Sequence, residues 1–209
     1  RHGDLAIFSF YATKNVTCGE GGAIIGRDPA LMGRIKQTLL HGMSAGAADR
    51  FAGAYYRHWD VARLGTKGNL PDLLAALLPP QIRRIDTLRT RRQALVDRYR
   101  AGLATKVRFA EVRASARSAH HLFPIHVAPA VRDRFLHDLN AAGIGTTVNY
   151  RAIHRLTFYQ EKYAIPDAAL PVSAAWGDGV ISLPLYPSLD APSQDFVIER
   201  VNALADTLL

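Results

Sequence analysis

The chain has 209 residues, enough for one large or two small domains and for a buried core. Hydrophobic residues make up 48% and charged residues 21%, a globular balance that argues against disorder, collagen-like repeats and coiled coil. Charges, Pro or Gly interrupt every apolar run before the roughly 18 residues needed to cross a bilayer. Lys and Arg total 26 against 18 Asp and Glu, leaving +8, and a single cysteine, Cys18, excludes an internal disulfide framework and a Cys-rich zinc site. No basic n-region precedes an apolar h-region, so a soluble, cytoplasmic chain without a membrane partner is expected. The chain opens on Arg1 and enters an apolar run almost at once, which is expected of a fragment or a truncated product and, on composition alone, equally of a processed but complete domain.

In chain order, Leu5 to Phe10 and Ala23 to Ile25 read as strands bounded by polar, Gly-rich turns. Asp28 followed by Pro29 supplies an N-cap and a first-turn proline, and Met32, Ile35 and Leu39 continue at helical spacing, predicting a helix from Pro29 to His41 ended at Gly42. Residues 43 to 70 lack periodicity and are too long for an ordinary connection, the pattern of a functional or mobile segment. Asn69, Leu70 and Pro71 open a further helix, whose run Leu73 to Leu78 is apolar all round and so predicts burial, with Pro79 and Pro80 breaking or kinking it.

Arg83, Arg84, Arg89, Arg91, Arg92, Arg98 and Arg100 then interleave with Ile82, Ile85, Leu88, Leu95, Val96 and Tyr99. This is an amphipathic helix over 81–103 whose basic face meets solvent, a distribution that argues against a nucleic-acid reading of the positive balance, which would also suit an anionic small substrate. The domain boundary is placed here, giving 1–80 and 81–209. Beyond it the pattern predicts strand 121–127, helix 130–142 ended by Gly143, strand 144–150, a short helix 158–163, strand 180–183 and a last helix 192–208. The alternation of strands and helices argues an α/β class.

The stretch Ser9-Phe10-Tyr11-Ala12-Thr13-Lys14-Asn15 stands where an apolar strand ends and a polar turn begins. A lysine at such a strand end can be held partly desolvated at the floor of a site, although most lysines after strands are solvated turn residues, and a lysine amine that attacks a carbonyl gives a Schiff base. Ser9 and Thr13 offer hydroxyls to an anionic phosphate. Gly19-Glu20-Gly21-Gly22 with Gly26 precedes a strand instead of joining a strand to a helix, which argues against a dinucleotide loop. His120, His121 and His126 form a loose cluster in which adjacent strand residues face opposite ways, arguing against a metal site. Cys18 reads as a small buried residue, the sequon Asn15-Val16-Thr17 has no meaning without secretion, and Tyr55, Tyr56 and Trp59 are open between packing and ligand contact.

The run S-F-Y-A-T-K-N-V-T-C-G-E-G-G, from Ser9 to Gly22, closely resembles the cofactor-lysine motif of the DegT/DnrJ/StrS family of pyridoxal-phosphate nucleotide-sugar aminotransferases, of fold type I. Matches continue in the same order through His41-Gly42, Trp59-Asp60-Val61, Lys67-Gly68-Asn69-Leu70, Ala75-Ala76, Gly143-Ile144-Gly145-Thr146, Tyr150 to His154 and Ser182-Leu183-Pro184-Leu185-Tyr186-Pro187. The wording is nearest to the synthases of UDP-4-amino-4-deoxy-L-arabinose and related 4-amino sugars. The resemblance implies an α/β chain comprising an incomplete large-domain sheet and a small α/β C-terminal domain. It implies that Lys14 carries pyridoxal phosphate and shuttles a proton, that Ser9 contacts the phosphate, and that Asn69 reaches the cofactor of a neighbouring subunit in a homodimer. Asn149, Tyr150, Arg151 and His154 match a region near the nucleotide sugar, with glutamate as the expected amino donor.

Three departures accompany the match. The family commonly has His or Tyr where Asn149 stands. Its lysine lies near mid-chain, so that the preceding half supplies a Gly-Ser/Thr phosphate loop, a ring stacked on the pyridine and a carboxylate at the pyridine nitrogen. Its helix runs through the position of Pro79-Pro80. The expectation is an aminotransferase portion inactive by itself, with a non-catalytic remnant serving as a dimerisation or binding module as the alternative, and a basic nucleic-acid-binding domain as a third reading resting on charge alone.

Overall fold

A computed structural model describes residues 3–44, 55–56, 58–103 and 105–209. They form two compact units, Arg1–Ile85 and Asp86–Leu209. The aperiodic stretch expected over 43–70 contains residues 45–54 and 57, which lie outside the described set.

In the first unit β1 (Leu5–Ser9) pairs antiparallel with β2 (Gly22–Gly26), in a register running from Leu5 opposite Gly26 to Ser9 opposite Gly22. α1 (Pro29–Leu39) follows, and the Asp28 carboxylate accepts from the N–H groups of Ala30 at 2.8 Å and Leu31 at 3.2 Å, which satisfies two donors that the helix itself leaves open. The segment leading to residue 70 is stitched to the end of α1: His41 N–H donates to Thr66 C=O at 3.0 Å and Gly68 N–H to Leu39 C=O at 2.8 Å. α2 (Asp72–Ala75) and α3 (Leu78–Arg83) end the unit.

The break between these two helices comes before the prolines. Pro79 and Pro80 sit in the first turn of α3, where a missing N–H costs no hydrogen bond. Burial of the whole run Leu73 to Leu78 does not hold. Leu78 is buried but Leu73 is 86% exposed, because nothing in the described part of the unit packs over that face of α2. The β-ribbon is likewise apolar and uncovered, with Ile7 78% exposed and Phe8 and Ile25 exposed beside it.

The second unit closes its own core. α4 (Ile85–Gly102) precedes a three-stranded antiparallel sheet in the order β3 (Arg108–Phe109), β4 (Phe123–His126), β5 (Val180–Leu183). α5 (Pro129–Ala141), α6 (Thr157–Tyr163), α7 (Pro171–Gly179) and α8 (Ala191–Leu208) complete it, with 3-10 turns at Ile153–Arg155 and Asp167–Ala169. Tyr99, Ile125, Phe135, Leu139, Ile181 and Val201 are fully enclosed, and the Tyr99 ring stacks on Phe123 at 4.8 Å between centroids. The Gln194 side chain donates to Leu95 C=O at 2.7 Å and Asn202 to Gly102 C=O at 2.8 Å, fixing α8 along α4.

Two expectations change in this unit. Residues 144–150 do not form a strand. Their ladder reduces to one bridge between Thr147 and Ser182, and the Thr146 N–H is taken at 3.1 Å by the Asn140 side chain from the end of α5. The basic face of α4 is interrupted by Arg92, which is buried and donates to the carbonyls of His120 at 3.1 Å and Leu185 at 2.9 Å, so this charge is spent on internal acceptors that would otherwise be unpaired. Among the described residues no helix is long and apolar enough to cross a membrane.

Candidate active site

The lysine loop, residues 10–21, is the connection between β1 and β2, and its shape is set by its own backbone. Phe10 N–H donates to Gly21 C=O at 2.8 Å, Cys18 N–H and Thr17 Oγ1 donate to Phe10 C=O at 3.0 Å, and Lys14 N–H closes a turn onto Tyr11 C=O at 2.9 Å. Gly21 is required by close packing: a Cβ there would stand 2.8 Å from Cys18 Sγ and 2.9 Å from Leu70 Cδ1. Leu70, next to Asn69, therefore seats the 69–70 segment against the lysine loop. Gln81 of α3 clamps the loop from another side, accepting from Thr17 N–H at 3.1 Å and donating to Thr17 C=O at 2.7 Å, which keeps α3 with the first unit.

Within this frame Lys14 is half-buried and Ser9 lies exposed at the end of β1, its oxygen accepting from Tyr11 N–H at 3.4 Å. Among the described residues no group hydrogen-bonds or ion-pairs with Lys14 Nζ. Asn69 is exposed. Cys18 is buried as expected, with its thiol near the Glu20 carbonyl at 3.3 Å. Tyr55, Tyr56 and Trp59 are exposed, which removes packing in the unit's core as their explanation.

The second group of expected residues lies in the other unit. Tyr150, Arg151 and His154 line a cleft of about 830 Å³ with Ile153 and, from α7, Pro171, Val172, Ser173 and Trp176. Asn149 does not line it, and its Oδ1 is buried without a partner. α7 backs directly onto the cleft wall at Gly177, where a Cβ would stand 2.6 Å from the backbone nitrogen of Ala152.

His154 is buried, and its Nε2 lies 2.9 Å from Asp167 Oδ1. Arg155 grips the same carboxylate with both ends of its fork, Nε to Oδ1 at 2.8 Å and Nη2 to Oδ2 at 2.6 Å, and also pairs with Asp178. Hydrogen bonds from Arg155 first and His154 second hold the Asp167 carboxyl down to about 2, and hydrogen bonds to Asp167 first and Asp178 second push the Arg155 guanidinium up. α7, Asp167 and Asp178 were not among the residues read from the sequence; the tryptophan of Ala174-Ala175-Trp176-Gly177 was the available signal.

The histidines at 120 and 126 go to separate partners. His120 Nε2 lies 2.6 Å from Gln93 Oε1, whereas His126 sits between Arg108 Nη2 at 3.2 Å and the Ala175 carbonyl at 3.0 Å.

The motif order of the sequence, running through both units, has a counterpart in known proteins. A model of the DegT/DnrJ/EryC1/StrS aminotransferase family matches residues 1–202. The chain belongs to this family. Its fold is similar to that of Spr1654 from Streptococcus pneumoniae in its PMP form, with a TM-score of 0.88 and 27% identity over 99% of this chain and 54% of that one. It is also similar to the aminotransferase TlmJ from Streptoalloteichus hindustanus (TM-score 0.85, 26% identity, 99% of this chain and 53% of that one). DesV from S. venezuelae, solved in complex with a ketimine intermediate, matches at a TM-score of 0.83 with 29% identity over 98% of this chain and 52% of that one. The chain thus spans about half the length of the structures it matches, and its mixed α/β architecture corresponds to part of fold type I.

Proposed function

We propose that the chain contributes the lysine-bearing and C-terminal portion of a pyridoxal-phosphate aminotransferase that moves an amino group from an amino acid, glutamate in the first instance, to a keto group of a nucleotide sugar. The observation that carries this is the family match over 1–202 together with a half-buried, unpartnered Lys14 amine in the loop that the motif predicts. The first unit is read as the remainder of a large cofactor-binding domain and the second as a small C-terminal domain.

The residues present fit the cofactor. Thr17 Oγ1 and the backbone N–H groups of Phe10, Lys14, Cys18 and Gly19 are committed to internal hydrogen bonds, whereas among the described residues Lys14 Nζ and the Ser9 hydroxyl proton are not, which leaves a primary amine for a carbonyl carbon and a donor for a phosphate. Bound pyridoxal phosphate supplies an electron sink that makes the donor's Cα–H acidic. Lys14 Nζ would hold the cofactor and would take up and return that proton, its backbone placed by the turn onto Tyr11 and by the Gln81 clamp on Thr17. Ser9 Oγ would donate to the phosphate, and Asn69 would serve the neighbouring subunit's cofactor in a homodimer. Arg151 and Tyr150 meet the anionic and planar parts of the sugar nucleotide, and His154 supports that wall from beneath. The phosphate loop, stacking ring and pyridine-nitrogen carboxylate that the resemblance assigns elsewhere are needed for turnover, so the 209 residues by themselves are inactive.

Borohydride reduction in excess pyridoxal phosphate, followed by peptide mapping, tests the site. Preferential label on Lys14 supports the reading, and preferential label on Lys36 or Lys67 refutes it. Turnover of glutamate and a UDP-4-keto sugar by the isolated chain, at the rate of a complete homologue, refutes the inactivity. A chain that dimerises but never takes the label is the non-catalytic module.

A further inference from the structure

Two carboxylates and one arginine join three pieces of chain around the cleft. Asp167, in the 3-10 turn that precedes α7, bonds His154 Nε2 at 2.9 Å and both ends of the Arg155 fork, while Arg155 also reaches Asp178 in the last turn of α7. The His154 side chain is 3% exposed and its Nδ1 is buried with no partner. An ionised carboxylate accepts and does not donate, so in the neutral ring the proton is held on Nε2 and Nδ1 is left bare. The backbone between Tyr150 and Arg155 is thereby pinned at its distal end by Asp167 and, at Ala152, by the close approach of Gly177.

We propose that Asp167 is a positioning residue for the ligand-facing wall of this cleft: by fixing the His154 ring in the Nε2–H tautomer and the Arg155 fork in place, it holds Tyr150 and Arg151 in the geometry that receives the ligand. Asp167 does not line the 830 Å³ cleft itself and acts through its two partners. The role rests on reading residues 150–154 as the nucleotide-sugar wall. In metal sites, where a carboxylate orients a ligating histidine in the same way, removing that partner costs about 10- to 100-fold, and the lower end of that range sets the scale here.

The test uses the ¹⁵N-labelled 209-residue chain, its D167A and D167N variants, and D195N as a control, since Asp195 pairs with Arg98 away from the cleft. Asn keeps a carbonyl oxygen for the His154 Nε2–H, and Arg155 keeps Asp178. Long-range ¹H–¹⁵N spectra of the imidazole are expected to show the Nε2–H tautomer in wild type and D167N, and a shift toward Nδ1–H or a mixture in D167A. A purely structural aspartate would leave the tautomer unmoved in D167A, and that result overturns the proposal. UDP, the probe ligand, is expected to bind D167A about tenfold more weakly than wild type, with D167N largely restored and D195N unchanged. Equal affinity of D167A and wild type overturns the proposal. If wild type takes no UDP, the nucleotide reading fails, and the tautomer result alone decides the role of Asp167.

Discussion

Gly177→Ala and Gly33→Ala are the same substitution in two helices, and the structure gives them opposite signs. In a helix interior the change from Gly to Ala gains roughly 0.5–1 kcal/mol from backbone entropy. At Gly33 in α1 a Cβ meets nothing within 4 Å, so that gain is kept. At Gly177 in α7 the new Cβ stands 2.6 Å from Ala152 N and 3.3 Å from both Ala152 Cβ and Arg151 C, and backbone atoms cannot step aside as a side-chain tip can. Overpacking of this kind costs about 1–3 kcal/mol, and contact with backbone belongs at the upper end. The net for Gly177→Ala is a loss of about 1–2 kcal/mol, and a unit the size of Asp86–Leu209 loses roughly 3–5 °C of Tm per kcal/mol. Calorimetry should therefore show a fall of roughly 3–10 °C, with faster amide exchange at 151–152, while Gly33→Ala slows exchange in α1 by roughly two- to fivefold. Equal effects of one sign at both positions would refute the close approach of α7 to the cleft wall.

Asp167 should leave a trace in the pH dependence of stability. Its folded value is held near 2, below that of the unfolded chain, so the stabilisation from Arg155 and His154 is present above the ordinary aspartate range and is lost as pH falls through that window toward 2. The difference in unfolding midpoint between wild type and D167N should shrink between pH 5 and about 2, and a difference constant over that range would count against the pairing. Tyr99→Phe removes the hydroxyl that donates to Pro184 C=O at 2.9 Å in a fully enclosed position, at an expected cost of about 1–2 kcal/mol, read as a lower denaturant midpoint at unchanged slope. Lys14→Ala should fold normally, since no core packing is lost, and should abolish the borohydride-trapped cofactor label; a large drop in melting temperature without cofactor would contradict the assignment.

Elements with strong local signals were legible in the sequence. The Asp28-Pro29 start of α1 is a cap whose two hydrogen bonds form as read, and Gly143 takes the left-handed conformation (φ +81°) expected of a residue that ends a helix. The last helix begins at Asp190, whose side chain accepts from Ser193 N–H at 2.8 Å. α7 escaped because Pro171-Val172-Ser173-Ala174-Ala175-Trp176 carries no polar stripe and runs straight into β5, leaving no period to count. β3 spans two residues, too few for an alternation to register. The contact of His154 with Asp167 joins positions 13 apart across the intervening helix α6, and no helical or strand repeat predicts such a pair.

The misread burial of Leu73 has a different origin and bears on where each half of the chemistry is anchored. Hydrophobic periodicity reports that a face is meant to be covered, but it does not say by what. In the second unit the covering elements lie in the same stretch of chain, so Tyr99, Phe135, Ile181 and Val201 close a core as their pattern implies. In the first unit the equally apolar Ile7, Ile25 and Leu73 are exposed, and a two-stranded ribbon has too little area to bury either of its faces. The lysine loop hangs on that ribbon and draws its rigidity from local backbone bonds and the Gln81 clamp, whereas the cleft wall at 150–155 is tied to a closed core. Substitutions around the cleft should consequently report through cooperative unfolding, and substitutions around Lys14 through labelling chemistry with little change in the main thermal transition.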